Sequence, residues 1–114
     1  MTKRKKIVGG IEPSVVVNYA DLVEYGDGAI VSRTLVKGSA GTLTVFAFDE
    51  GEELSEHSAP FDAWVLVLDG EVELTIAGEP VRAKVGETVL MPADIPHGVT
   101  AVSRFKMLLT MFRA

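Results

Sequence analysis

Two stretches of the sequence decide how this chain folds. Residues 51–70 read GEELSEHSAPFDAWVLVLDG, and residues 86–101 read GETVLMPADIPHGVTA. Each stretch opens with a glycine, carries one histidine and sets a short apolar run beside turn-forming residues. Glycine and proline mark turns because glycine tolerates positive φ and proline fixes its own φ. The pattern predicts short strands joined by tight turns.

The same pattern extends outward from these stretches. Apolar residues alternate with polar ones, or form brief β-branched runs, between turn signals at roughly eight- to twelve-residue intervals. Asp69-Gly70 is predicted to be a tight hairpin turn between the strands that flank it. A short turn within residues 19–25 is the only helical expectation. The predicted strands of this all-β sandwich or barrel are 29–36, 42–48, 64–68, 71–76, 81–85, 88–91, 97–102 and 105–112.

Length and composition are those of one globular domain. The 114 residues are 47% hydrophobic and 24% charged, which excludes a disordered chain. We expect a flexible lead-in over residues 1–14 and a single barrel domain over residues 15–114. The longest stretch without a charged residue, 38–48, is too short to cross a membrane. The chain has no cysteine, so disulfides, thiolate catalysis and cysteine-ligated zinc are excluded.

Charge argues against a nucleic-acid partner. The formal net charge is −5 at pH 7, and such a body does not attract a polyanion. The basic cluster at residues 3–6 is expected to be a solvated tail. No long apolar segment follows it, so we do not predict a signal peptide and expect a cytoplasmic protein.

The spacing within the first stretch resembles the first motif of the cupin superfamily. That motif runs glycine, five residues, histidine, one residue, histidine, three residues, glutamate, six residues, glycine; this chain has Gly51, His57, Ala59, Ala63 and Gly70 at those positions. The resemblance implies the cupin barrel, a double-stranded β-helix or jelly roll, here a small single-domain cupin of the conserved-barrel type 2.

The second stretch resembles the second cupin motif. That motif runs glycine, five residues, proline, one residue, glycine, two residues, histidine, three residues, asparagine; this chain has Gly86, Pro92, Asp94, His97 and Ala101 there. Asp94 replaces a glycine, and aspartate tolerates the left-handed conformation better than most residues do.

The departures from the motifs affect the metal site that the resemblance implies. A cupin usually gives its metal three histidines and one carboxylate, and only His57 and His97 carry over, because Ala59 and Ala63 replace the other two ligands. Two imidazoles fall short of the usual four to six ligands, although water or substrate can complete them. The cofactor therefore stays open, with one divalent metal (nickel, iron, zinc or manganese) as a candidate. Glu53, Glu56 and Asp62 are the nearby carboxylates that could substitute.

A mostly apolar pocket with two imidazoles is a reasonable site for a small molecule. Ala59 and Ala63 open space where ligands would otherwise stand. The predicted pocket residues are His57, Ala59, Phe61, Ala63, Trp64, Met91, His97, Phe46, Phe48 and Met107, with Met111 as a further candidate nearby.

Three functions remain open. The chain is a non-enzymatic cupin that binds a small molecule, a metal-dependent enzyme of the dioxygenase, isomerase or decarboxylase type using His57 and His97, or an interaction module with incidental histidines. Exposed strand edges favour a homodimer. Residues 15–17 and 105–112 are its candidate contact segments.

Overall fold

A computed structural model describes residues 10–113 of the chain. Residues 1–9 and 114 lie outside the described residues, and with them the basic cluster and most of the predicted lead-in over residues 1–14. One 3₁₀ helix, Tyr19–Asp21, precedes the strands. The strands are β1 (Ile30–Gly38), β2 (Gly41–Phe48), β3 (Glu53–His57), β4 (Asp62–Asp69), β5 (Glu71–Ile76), β6 (Glu79–Lys84), β7 (Thr88–Met91), β8 (His97–Ala101) and β9 (Phe105–Phe112).

The strands form two packed antiparallel sheets. One has five strands in the order β1-β2-β9-β4-β7, and the other has four in the order β3-β8-β5-β6. Some neighbouring strands are distant in sequence: β9, the last of the nine, lies between β2 and β4. The all-β jelly-roll prediction is confirmed.

The main core lies between the sheets and follows from alternation along the strands. Ala63, Val65 and Val67 of β4 are buried, whereas the residues between them face outward. Their inward face meets Val72 and Leu74 of β5 across the barrel. Successive side chains of a strand point to opposite faces, so one face is dry and the other is wet.

A second, smaller core covers part of the outer face of the five-stranded sheet. Residues 10–25 run across this face and pack Val23 against Val45 and Leu108. The Arg33 guanidinium holds the segment in place by donating to the carbonyl oxygens of Gly10 and Leu22. Residues 10–14, the described part of the predicted lead-in, therefore contact the barrel.

The predicted hairpin at Asp69-Gly70 is wrong. β4 and β5 belong to different sheets, so this turn carries the chain from one sheet to the other. Gly70 has a φ of +72°, and a Cβ atom there would collide with the carbonyl oxygen of Arg104. The site therefore requires glycine for conformation and for space. The tight hairpin occurs one strand later, at Ala77-Gly78 between β5 and β6.

β3 was not predicted as a strand. Glu53–His57 contains two glutamates and a serine, and it forms an edge strand whose side chains are mostly exposed. An edge strand with one apolar residue lacks the alternation that identifies a half-buried strand.

Within residues 10–113, no helix has the length and apolar character that crossing a membrane requires.

Candidate functional site

A cavity of about 220 Å³ lies between the two sheets at one end of the barrel. Both histidines border it, and the remaining wall is aliphatic, aromatic or thioether. The lining residues are Phe46, Leu54, His57, Ala63, Met91, His97, Val99, Met107, Leu109 and Met111.

Strand pairing brings the two histidines together. His57 ends β3 and His97 begins β8, and the two residues are register partners in the four-stranded sheet. Their ring centroids are 4.5 Å apart, and the rings meet edge-on at 65°. The His97 side chain is buried, with 6% of its surface exposed, whereas His57 is exposed to solvent. One imidazole therefore lies inside the cavity and the other lies at its mouth.

Backbone contacts fix the tautomer of both rings. Nδ1 of His57 donates to the carbonyl oxygen of Ser55 at 2.9 Å, and Nδ1 of His97 donates to that of Ile95 at 3.3 Å. A carbonyl oxygen can only accept, so Nδ1 carries the proton in each ring. In the neutral imidazole, Nε2 is then a hydrogen-bond acceptor.

The Nε2 atoms are free to meet a ligand. Among residues 10–113, neither Nε2 atom has a protein hydrogen-bond partner. Every fully buried side-chain nitrogen or oxygen in this part of the chain does have a partner, so the Nε2 atom of His97 is not fully buried. Nε2 of the buried His97 therefore opens onto the cavity. The site presents two acceptors at different depths.

Burial keeps His97 neutral. Desolvation lowers its pKa below the usual value, the hydrogen bond to Ile95 opposes this shift, and the neighbouring His57 lowers the pKa further. The charged form is disfavoured because the cavity wall supplies no compensating anion. His97 is thus an acceptor at neutral pH.

The loop between β7 and β8 is held by two hydrogen bonds and positions His97. The Asp62 carboxylate accepts from the amide of Ala93 at 2.9 Å, and the amide of Asp94 donates to the carbonyl of Ala59 at 2.8 Å. Asp94 has a φ of +66°, which confirms the left-handed conformation expected where the motif has glycine. The loop enters β8 with the His97 ring already oriented by Ile95.

Ala63 creates room in the opposite wall. It is the register partner of Met91 in β7 and of Met111 in β9, so a methyl group lies between two long thioether side chains. Directly paired residues project from the same face of a sheet. All three line the cavity, and the floor beside Ala63 is therefore apolar and polarisable.

The structure brings six of the ten predicted pocket residues to the cavity. They are His57, Ala63, Met91, His97, Phe46 and Met107.

The other four lie elsewhere. Ala59 is in the loop before β4, where its carbonyl holds Asp94. Phe61 packs under the guanidinium of Arg113, with 4.7 Å between the Arg113 Cζ and the ring centroid. Phe48 is fully buried against Phe105. Trp64 follows the inward-facing Ala63 on β4 and so points outward, where its indole nitrogen donates to the Thr88 hydroxyl.

Four lining residues were not in the predicted pocket. Leu109 and Met111 are two and four positions beyond Met107 on β9 and share its inward face, and Val99 relates to His97 in the same way on β8. Met111 was already a candidate near the pocket, and alternation within a predicted strand was the signal that could have found Leu109 and Val99. Leu54 lies on the unpredicted strand β3, so alternation offered no such signal for it.

The described side chains do not fit the four-ligand metal centre that the motifs imply. Within residues 10–113, no group of three or more His, Cys, Asp or Glu side chains is placed to hold a metal ion. Glu53 and Glu56 line a separate, shallower groove, and Asp62 is engaged by Ala93. The donor set at the cavity is two imidazoles.

Comparison with known proteins places this architecture in context. A family model described as Cupin domain matches residues 44–112. A conserved protein of unknown function from Streptococcus pyogenes has a similar structure, with a TM-score of 0.91 and 38% identity over 98% of each chain. A cupin 2 conserved barrel domain protein from Leptotrichia buccalis is 43% identical with a TM-score of 0.85, over 90% of this chain and 50% of that one.

One similar protein is named as a transcriptional regulator. The HTH-type transcriptional regulator PuuR of Escherichia coli is 26% identical over 99 residues, which cover 81% of this chain and 52% of that protein. The chain thus spans about half the length of the curated relatives it matches.

Proposed function

This chain belongs to the cupin family, and on that premise we propose that it is a non-catalytic domain that binds a small molecule in the interior of its barrel. The cavity carries this proposal. It is mostly apolar, it is bordered by two oriented imidazoles, and its volume of about 220 Å³ suits a compact molecule. Such a concave apolar site with a few convergent polar groups is typical of ligand pockets.

The likeness to PuuR supports a sensing role. The aligned positions cover 81% of this chain and so take in most of the barrel, in a relative named as a transcriptional regulator. A barrel that binds an effector without converting it suits such a role, because two imidazoles without a third ligand or an orienting carboxylate make a weak catalytic set.

A pocket-filling variant tests the binding proposal. Met111 is half-buried in the cavity wall, whereas its neighbour Thr110 lies on the opposite face of β9. Met111→Trp should fill the cavity, and Thr110→Trp is the matched control that adds the same bulk outside it. Chemical-shift mapping of a fragment library on ¹⁵N-labelled protein should show hits around His97 and Val99. These shifts should disappear in Met111→Trp and persist in Thr110→Trp.

Two results would contradict this proposal. One is a library without any fragment that perturbs the cavity residues. The other is a set of cavity shifts that Met111→Trp leaves unchanged.

The paired histidines favour a second candidate, a metal-dependent cupin enzyme. The two rings are register partners 4.5 Å apart, which is close enough for both to bind one divalent ion with water as the remaining ligands. Elemental analysis of untagged protein, purified without chelator, separates the candidates. About one transition metal per chain, lost in both His57→Ala and His97→Ala, would favour the enzyme.

We also propose a homodimer, in which the uncovered part of the five-stranded sheet contacts a second copy. Trp64 and Leu90 are register partners on its outer face, with 45% and 47% of their surfaces exposed, and Phe112 lies beside Trp64. Val16 is almost fully exposed and adds apolar surface. A self-complementary patch of this kind suits a two-fold interface.

Light scattering tests the dimer. Leu90→Glu should yield a monomer, because it places a charge in the apolar contact. Val81→Glu changes an exposed valine on the other sheet and should leave the dimer intact. A wild-type monomer at micromolar concentration would contradict the proposal.

A further inference from the structure

We infer that the ligand of this cavity is a neutral, compact and largely apolar molecule that donates a hydrogen bond from a hydroxyl or ring N–H group to the Nε2 atom of His97. This inference rests on the proposed function, since it names the chemical class of the molecule that the barrel binds.

The hydrogen-bonding capacity of the site sets the polarity of the ligand. Both Nδ1–H groups are already engaged by the carbonyl oxygens of Ser55 and Ile95, so both Nε2 atoms can only accept. A ligand that offers only acceptors would leave the Nε2 atom of the buried His97, and its own oxygens, unpaired in an apolar surrounding. Unpaired polar groups of this kind are costly to bury. The ligand must therefore donate.

Charge in the wall sets the charge of the ligand. The ten lining residues include no Asp, Glu, Lys or Arg. An anionic head group would need a cation, and the lining supplies no lysine or arginine; the buried His97 ring has its Nδ1–H group bonded to the Ile95 carbonyl instead. A cationic head group would likewise lack an anion. An unpaired ion inside an apolar cavity is strongly disfavoured, so a neutral molecule is selected.

Volume and wall chemistry set the size and shape. The cavity of about 220 Å³ corresponds to roughly seven water molecules at ~30 Å³ each. One aromatic ring or a short branched chain fits this space. The thioethers of Met91 and Met111 flank Ala63 on one wall, and the Phe46 ring lines the cavity with them. Thioethers make favourable contacts with aromatic rings, which favours a ring as the apolar body.

Three probes of similar size test the inference. Phenol has a ring and a hydroxyl donor, anisole has the same ring with the donor blocked by a methyl group, and benzoate has the ring with an anionic head. Titrations on ¹⁵N-labelled protein at pH 7.5 should give phenol the tightest binding. The loss of one net hydrogen bond predicts that anisole binds about fivefold more weakly. Benzoate should be the weakest of the three.

The imidazoles should carry this discrimination. His97→Phe keeps a ring in place but removes the acceptor, so phenol and anisole should bind it equally. Phe46→Leu changes the apolar wall only, and both affinities should fall while their ratio stays near the wild-type value. Long-range ¹H–¹⁵N spectra of the histidines give an independent readout, because phenol should shift the His97 Nε2 resonance and anisole should not.

The outcomes separate this inference from the proposed function. Anisole or benzoate binding the cavity as tightly as phenol would overturn the ligand class and leave the binding barrel standing. Fragment hits in the cavity without binding of any of the three probes would do the same. A cavity that no fragment and no probe enters would overturn both. A phenol-to-anisole ratio that His97→Phe does not change would also overturn the role of the imidazole.

Discussion

The two ends of the barrel are built from opposite kinds of side chain. At one end, Ala63, Met111 and the paired histidines surround a cavity whose lining includes no Asp, Glu, Lys or Arg. At the other end, some seven residues away along β4, Asp69 lies beside Lys106 of β9, and acidic, basic and tyrosine side chains interlock. The same two sheets thus end in an apolar cavity on one side and, on the other, in a cluster formed by Tyr25, Asp27, Asp49, Asp69, Arg104 and Lys106, the charged clasp.

Arg104 is the centre of this charged clasp. Its guanidinium donates to Asp49 and Asp27, each at 2.8 Å, and lies 5.2 Å from the centre of the Tyr25 ring. The Tyr25 hydroxyl donates to Asp69, and burial together with this bond raises the tyrosine pKa well above its usual value. These contacts tie the loop before β1 to the turns after β2, β4 and β8.

The difference between the two ends shows how a small barrel can contain a cavity in its core. An apolar cavity forfeits packing contacts, whereas the opposite end makes hydrogen bonds and ion pairs. Side-chain and backbone hydrogen bonds hold the clasp closed without using core volume. The cavity end keeps its open space, whereas polar contacts hold the opposite end.

The largest expected effect comes from breaking the clasp at its backbone. Gly70→Ala should destabilise the fold by about 4 kcal/mol or more, because its Cβ meets the Arg104 carbonyl at positive φ. Gly78→Ala is the matched control, since Gly78 also has positive φ but open space, and about 1 kcal/mol is expected. Urea unfolding measures both. Equal losses would show that conformation alone matters at Gly70.

Truncating one apolar side chain at each end tests the contrast in packing. Phe105→Ala at the closed end should cost about 3–5 kcal/mol, because Phe105 is fully buried against Phe48. Met111→Ala should cost about 1–2 kcal/mol, because Met111 is half-buried beside an existing cavity. Similar losses in urea unfolding would mean that the two ends are equally well packed.

A smaller effect is expected from the charge of Asp49. Bonds from the Gly28 amide and the Arg104 side chain lower its pKa from 3.8 to about 2. The unfolded state therefore binds a proton first as pH falls, so this stabilisation is complete above about pH 5 and is lost between pH 4 and pH 2. Asp49→Asn should remove that part of the acid dependence of unfolding. An unchanged acid profile in the variant would contradict the role of this carboxylate.

The smallest effect should come from His97 at the cavity end. Its lowered pKa means that the unfolded chain takes up a proton first, so stability should decline as pH falls below about 6.5. His97→Phe should flatten the stability profile between pH 7.5 and pH 5. His57→Phe is the control for the exposed partner ring. A decline that persists unchanged in His97→Phe would show that another group titrates there.

Much of the fold could be predicted because alternation and turn residues are local signals. Strands such as β5 and β9 show them clearly, and the positive φ of Asp94 followed from its place in the second motif. The turn at Gly70 could not be assigned to a crossover, because sheet membership depends on contacts distant in sequence. Gly70 has no space for a side chain because the backbone carbonyl of Arg104, 34 residues further along the chain, lies against it.

The cavity was predictable only in part for a related reason. Residue type suggested Trp64 and Phe48 as pocket residues. Trp64 points outward because it follows the inward-facing Ala63 on β4, and Phe48 packs against Phe105 in the core. The tautomers of His57 and His97 depend on carbonyl groups of the preceding turns, which no side-chain pattern reveals. Composition names the candidate residues, and geometry selects among them.

The position of β9 has a consequence for how the protein is made. β9 is the last strand, Phe105–Phe112, and it is the middle strand of the five-stranded sheet, paired with both β2 and β4. A chain leaving the ribosome therefore exposes the facing edges of β2 and β4 until residues 105–112 have emerged. Long-range β pairing of this kind folds slowly and leaves unpaired strand edges open to other chains. The sheet closes only once residues 105–112 are available to pair, and aggregation of the nascent chain competes with folding until then.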